Sequence, residues 1–127
     1  MELVLTPTLF ASGTLLPGEP RWQFLEPYVI DEGRPDTVPG TLFDTGEGYP
    51  AAEFGGHGLI HGRVFILRAE RRDEALDVLD AVEGAVEGGY RRVIVTTTGG
   101  TEAWAYEYGG GLTLTPITGG SWVDRRR

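Results

Sequence analysis

Glu83 is the residue whose setting departs most from the ordinary. It lies four residues after Leu79 and seven after Leu76, so a helix through these positions carries its carboxylate on the same face as two leucines. Burying an unpaired carboxylate is costly. Gly84 marks a helix C-terminus, where the macrodipole disfavours negative charge. Both effects raise the pKa and leave the group able to take and return a proton near neutral pH. The alternative is a glutamate that swings into solvent from a fraying helix end, and spacing alone leaves both open. The second feature is Ser12-Gly13-Thr14-Leu15, with Pro17-Gly18 close behind. A glycine turn after a buried strand exposes backbone N–H groups that can hold a carboxylate or a carbonyl oxygen gaining charge. A plain turn gives the same pattern.

Other chemistries find little support. There is no cysteine, hence no thiolate nucleophile, thiolate metal site or disulfide framework. His57 and His61 are four apart, but Gly55, Gly56, Gly58 and Gly62 surround them, which argues against a helix and against a metal pair. No Gly-Lys-Ser/Thr follows the Ser12 turn, so it is no phosphate-binding P-loop. Ser12 does not sit in a G-x-S-x-G elbow, so a serine hydrolase is poorly supported. Trp22, Trp104 and Trp122 read as core or wall residues. Tyr90, Tyr106 and Tyr108 fit strand propensity by themselves.

The elements that must position these residues follow from local pattern. Thr8 to Ala11 reads as a buried strand, beginning after Pro7, with Leu3-Val4-Leu5 as a possible extension. Trp22 to Tyr28 reads as a short helix. Asp31 to Pro39, with two prolines, a glycine and three acids, reads as a loop or irregular edge. Thr41-Leu42-Phe43 is a strand fragment, and Asp44 to Pro50 is turn chemistry. Leu59 to Leu67 reads as a strand with a possible bulge at Gly62. Glu70 to Glu83 is the one convincing helix, with Leu76, Leu79 and Val82 on one stripe and Asp73, Glu74 and Asp77 off it. Arg91 to Thr98 and Glu102 to Tyr108 form a hairpin through Gly99-Gly100. Leu112 to Trp122 is a last extended segment.

Composition bounds the class. A chain of 127 residues fits one domain, residues 1–127, with a real core. No apolar run approaches the roughly 18 residues of a spanning helix. MELVLTPTLF carries no secretory pattern, so a cytoplasmic location is the expectation. A net charge of −8 argues against nucleic acid as partner. Arg71-Arg72, Arg91-Arg92 and Arg125-Arg126-Arg127 read as solvated surface and tail. Strands dominate and one main helix packs on them. The expected fold class is α+β, a small mostly antiparallel β-barrel with flanking helices.

Five stretches, in order, resemble the γ-glutamylcyclotransferase-like superfamily. Leu9 to Leu15 with Pro17-Gly18 looks like its first strand and YGTL-type loop. Gly40-Thr41-Leu42-Phe43 and Gly48-Tyr49-Pro50-Ala51 look like its G-x-L-Y…YP-A segment. His61-Gly62-Arg63-Val64-Phe65 looks like its V-x-G-E-L-Y strand. Leu79-Asp80-Ala81-Val82-Glu83-Gly84, with Tyr90-Arg91-Arg92 after it, looks like its L-D-x-x-E-G…Y-x-R element, the most specific of the five. Ala103-Trp104-Ala105-Tyr106 and Ile117 to Trp122 look like its A-W-x-Y strand and terminal I-x-x-G-x-W. The resemblance implies cyclisation of the γ-glutamyl group of an amine or amino acid to 5-oxoproline, with release of the amine. It implies Glu83 as acid/base, a substrate held by Ser12, Gly13, Thr14, Leu15 and Tyr90, and neither metal nor organic cofactor. It implies a small-molecule partner and no membrane or nucleic acid.

There are departures. Ser12 replaces the motif's tyrosine, Arg63 stands where the strand's acid would be, and Glu19-Pro20-Arg21-Trp22 holds no counterpart of an asparagine often found there. Ser12 keeps open a catalytically inactive small-molecule-binding member of the same fold. Hydrolysis to free glutamate is a further alternative. Arg91 or Arg92 could hold a substrate carboxylate, although arginines at strand starts are usually surface residues.

Overall fold

The computed structural model describes residues 6–86 and 88–125. Leu3-Val4-Leu5 and Arg126-Arg127 lie outside the described residues. The elements are β1 (Thr8–Ala11), α1 (Trp22–Leu25) continuing as a 3-10 turn (Glu26–Tyr28), β2 (Arg34–Asp44), β3 (Pro50–Ile66), α2 (Arg72–Gly84), β4 (Arg91–Thr96), β5 (Glu102–Glu107) and β6 (Thr115–Pro116). One six-stranded sheet has the order β4-β5-β1-β3-β2-β6. Every strand pair is antiparallel except β1 with β5, which is parallel and registers Leu9 against Trp104. The sheet curls into a half-barrel. Its ends approach through bonds from the Thr98 N–H to the Thr37 carbonyl and from the Tyr108 N–H to the Ala52 carbonyl.

The central strands are buried on both faces, and alternation assigns each side chain. Leu9 and Phe65 pair in register and enter the core beneath the helices, with Leu25, Leu67, Leu76 and Leu79. Phe10 and Val64 pair next to them and enter the core inside the curl, with Val38, Leu42, Ile60 and Trp122. In α2, Ala75, Leu76 and Leu79 are buried, while Asp73 and Glu74 sit in the first turn, where the dipole favours them. Leu76 and Leu79 of the apolar stripe read from the sequence thus lie on the buried face, whereas Val82 is only half-buried.

Three local readings need correction. Arg34 to Pro39 is strand, not loop. Thr37 directs its carbonyl at Thr98 rather than at β3, so its alternation mates Pro35 and Pro39 also turn their peptide nitrogens away from β3. The missing N–H groups then cost the β2–β3 ladder nothing. Gly62 is not a bulge, because it pairs with Asp36 in register. It is glycine for space, since a Cβ there would stand 2.2 Å from the Ala11 carbonyl oxygen. The irregularity lies at Pro39/Gly40, where the partner jumps from Leu59 to Phe54. Finally, only Thr115–Pro116 of the segment from Leu112 to Trp122 is strand. Trp122 nonetheless reaches the core, and its Nε1 donates to Glu19 at 3.0 Å.

The β4–β5 hairpin forms as expected. The Thr97 N–H reaches the Thr101 carbonyl at 2.8 Å, which leaves Thr98-Gly99-Gly100 as the loop, with Gly100 at φ +89°. That is the three-residue loop that needs a left-handed glycine at its end.

Candidate functional site

β1 ends at the mouth of a cavity, and the turn after it forms one wall. Gly13 is pressed on Pro50, at the start of β3, closely enough that a Cβ would fall 2.5 Å from the proline Cγ. The turn's own hydrogen bonds are donated by Leu16 to the Gly13 carbonyl (3.1 Å) and by Arg21 to the Thr14 carbonyl (2.8 Å). The N–H groups of Gly13, Thr14 and Leu15 therefore remain unused among the described residues.

The facing wall is aromatic. Tyr90 is buried, and its hydroxyl donates to the Pro50 carbonyl. Its ring stands edge-on to Tyr49 and to Tyr108, with centroids 6.0 and 5.9 Å away. Burial raises the Tyr90 pKa, and the nearby Tyr49 and Glu83 add to it, so its hydroxyl stays protonated. Phe54 and Val86 complete an apolar rim. Tyr106 lines the cavity as well, and its hydroxyl donates to Asp80 at 2.7 Å. Burial and that carboxylate raise its pKa. Arg92 in turn pairs with Asp80 at 3.1 Å and covers Trp104.

Glu83 enters from the last turn of α2, and its side chain is only 12% exposed. Burial pushes its carboxyl up to about 7, and the Arg21 guanidinium, 3.8 Å away, opposes the shift without cancelling it. Of the two positions the spacing left open, the buried one is adopted. Arg21 also donates to the Thr14 hydroxyl at 3.2 Å and lies over the Tyr49 ring.

The walls bound a cleft that is open to solvent on one side. All six residues singled out from the sequence (Ser12, Gly13, Thr14, Leu15, Glu83 and Tyr90) line it. Sequence reasoning missed Arg21, Tyr49, Pro50, Phe54 and Tyr106 as walls. The segment Gly48-Tyr49-Pro50-Ala51 held a signal, since a tyrosine and a rigid proline stand beside turn glycines. Arg91 and Arg92 lie off the cavity: Arg91 is exposed and pairs with Glu107, and Arg92 pairs with Asp80. Arg63 donates to the carbonyls of Glu32 and Gly33. His57 and His61 are exposed on β3. Among the described residues no group of three or more His, Asp or Glu is placed to hold a metal, and no helix is long and apolar enough to cross a membrane.

A buried carboxyl raised to about 7 and a turn with unused backbone donors thus line the same aromatic-walled cavity. Such an arrangement can move protons at a nucleophile while stabilising an oxyanion. The fold has solved counterparts. The uncharacterized protein PH0828 from Pyrococcus horikoshii is 23% identical, with a TM-score of 0.70 over 95% of this chain and 93% of that one. YkqA from Bacillus subtilis is also 23% identical, with a TM-score of 0.72 over 96% of this chain and 41% of the longer YkqA. An AIG2-like protein from Mus musculus is 14% identical, with a TM-score of 0.56 over 83% and 79%. No curated protein matches by sequence. A family model does match, across residues 9–124, which take in both the loop and Glu83, and the chain belongs to the family it describes, gamma-glutamyl cyclotransferase, AIG2-like.

Proposed function

We propose that the protein cyclises the γ-glutamyl group of a γ-glutamyl amine or amino acid to 5-oxoproline and releases the amine. The observation that carries this reading is the placement of Glu83, buried at the cavity wall with a carboxyl near 7, within the fold of this family. Glu83 takes a proton from the α-ammonium of the substrate. The freed amine nitrogen attacks the γ-carbonyl carbon, and the oxyanion that forms is held by the N–H groups of the Gly13 turn. Glu83 gives its proton to the leaving nitrogen as the old C–N bond breaks, then relays a second proton from the ring nitrogen. The ring keeps one N–H, and the amine departs as an ammonium ion. Nucleophile and carbonyl belong to one molecule, so holding them in near-attack geometry removes roughly 7–11 kcal/mol in favourable cases. No metal or organic cofactor takes part, and the reading places the protein in the cytoplasm with a small-molecule partner.

The test is incubation of parent and Glu83→Gln with a panel of γ-glutamyl amines and γ-glutamyl amino acids, followed by mass spectrometry. 5-Oxoproline from the parent alone is the expected result, and free glutamate would indicate hydrolysis instead. A second reading, a binding protein without turnover, is favoured by Ser12, which lines the cavity where the motif has tyrosine. It predicts no product from the parent and saturable ligand binding.

A further inference from the structure

Arg21 is the one cationic side chain lining the cavity among the described residues. Its bond to Thr14 and its contact with Glu83 both use Nη1. Nε and Nη2 keep their donors unused among the described residues, although a guanidinium offers five N–H groups in a fixed fork. The 3.8 Å approach to Glu83 is also longer than a charge-assisted hydrogen bond. The guanidinium is therefore held in place but not saturated.

We infer that Arg21 holds the α-carboxylate of the γ-glutamyl group, so that the cavity accepts compounds in which that carboxylate is free. The inference rests on the cyclotransferase reading for the placement of the α-amine at Glu83. An α-amino acid carries opposite charges on one carbon, and the Arg21–Glu83 pair carries opposite charges a similar distance apart. Set head to tail, each charge meets its opposite. The fork geometry matches a carboxylate. No other lining cation competes, and an α-carboxylate placed in this partly desolvated space without Arg21 would lack a counter-ion.

Arg21 is also coupled to the oxyanion donors. Its own N–H and its Nη1 both bond to Thr14, so the carboxylate anchor and the Gly13 turn form one rigid unit. Tyr49 stacks beneath the guanidinium and limits its rotamers. Carboxylate binding also draws Arg21 away from its role as the counter-ion of Glu83, which strengthens Glu83 as a base once substrate is present. A glutamyl residue still inside a polypeptide has its α-carboxyl tied in a peptide bond and is refused.

The test measures binding of 5-oxoproline and of 5-oxoprolinamide, its neutral carboxamide, to the parent, Arg21→Met and Arg21→Lys by titration calorimetry. A γ-glutamyl alkylamide and its α-carboxamide are titrated against Glu83→Gln in the same way. The parent is expected to prefer the acid by about 10- to 100-fold, the range of a charged hydrogen bond. Arg21→Met, which also removes the bond to the Thr14 hydroxyl, is expected to lose that preference whatever its affinity for the amide, and Arg21→Lys to keep part of it. Equal affinity of the parent for acid and amide overturns the inference without recourse to any variant. So does absence of saturable binding of all four ligands, and so does an Arg21→Met that weakens acid and amide alike. Acid preference in the parent with no 5-oxoproline formed from any substrate would sink the cyclotransferase reading and leave the carboxylate anchor standing.

Discussion

Glu83 should make the protein less stable as the pH rises to neutrality, and replacing it should reverse that. Its carboxyl titrates near 7 in the folded chain against 4.5 for a free glutamate, because burial penalises the charged form. The folded state holds an extra proton between those values. The stabilisation this confers is complete below pH 4.5 and is lost as the pH climbs through 7. At roughly 1.4 kcal/mol per pH unit the gap amounts to about 3 kcal/mol. Glu83→Gln keeps the shape and removes the titration. Its stability relative to the parent should therefore rise by about 3 kcal/mol between pH 4.5 and pH 8, or roughly 10 °C in melting temperature for a chain of this size. Urea unfolding of both proteins at pH 4.5, 6 and 8 measures it. Turnover should move the opposite way and fall by about 10²- to 10⁴-fold. A difference in stability that stays flat across this range would refute the buried, proton-binding Glu83 and with it the acid/base assignment.

Gly13→Ala would drive a Cβ into the Pro50 ring. It should cost about 1–3 kcal/mol and lower turnover by at least about tenfold, because the displaced turn carries the oxyanion donors. Tyr90→Phe strips the Pro50 carbonyl of its buried partner and should cost about 1–3 kcal/mol, read as a lower urea midpoint at unchanged slope. Leu79→Ala empties a fully buried position beneath α2 and should cost about 2–5 kcal/mol by the same assay. The pH profile of kcat/KM should rise through an apparent pKa near 7, the value for Glu83 in the free protein.

What the sequence conveys well is whatever depends on local period. The α2 stripe of Leu76 and Leu79, the Gly99-Gly100 hairpin and the short β1 strand all follow from neighbours in the chain. What it hides depends on remote partners. Pro35 and Pro39 read as strand breakers until it is known that their nitrogens face away from β3. Gly62 reads as a bulge because its real constraint, the Ala11 carbonyl oxygen, belongs to a residue far earlier in the chain and is contacted only across the β1–β3 ladder. The same division runs through the site. Glu83 announces itself as a charge on an apolar face. Arg21 sits in an unremarkable Glu-Pro-Arg-Trp stretch, and its importance comes from Thr14 and Tyr49 in two turns and Glu83 on α2, which the fold brings to it.

The place of β1 in the sheet has a consequence for synthesis. It is the second shortest strand, and both its neighbours, β3 and β5, come later in the chain. A chain emerging from the ribosome holds β1 with both edges unpaired until β3 appears, and with one edge unpaired until Trp104 has left the exit tunnel. Pairings this remote slow folding, and exposed strand edges are where nascent chains associate wrongly. The strand is only four residues long, and Pro7 separates it from Leu3-Val4-Leu5. That is shorter than the six- or seven-residue segments that stack into fibrils. The strand that organises the finished site is thus brief enough to wait safely for its partners.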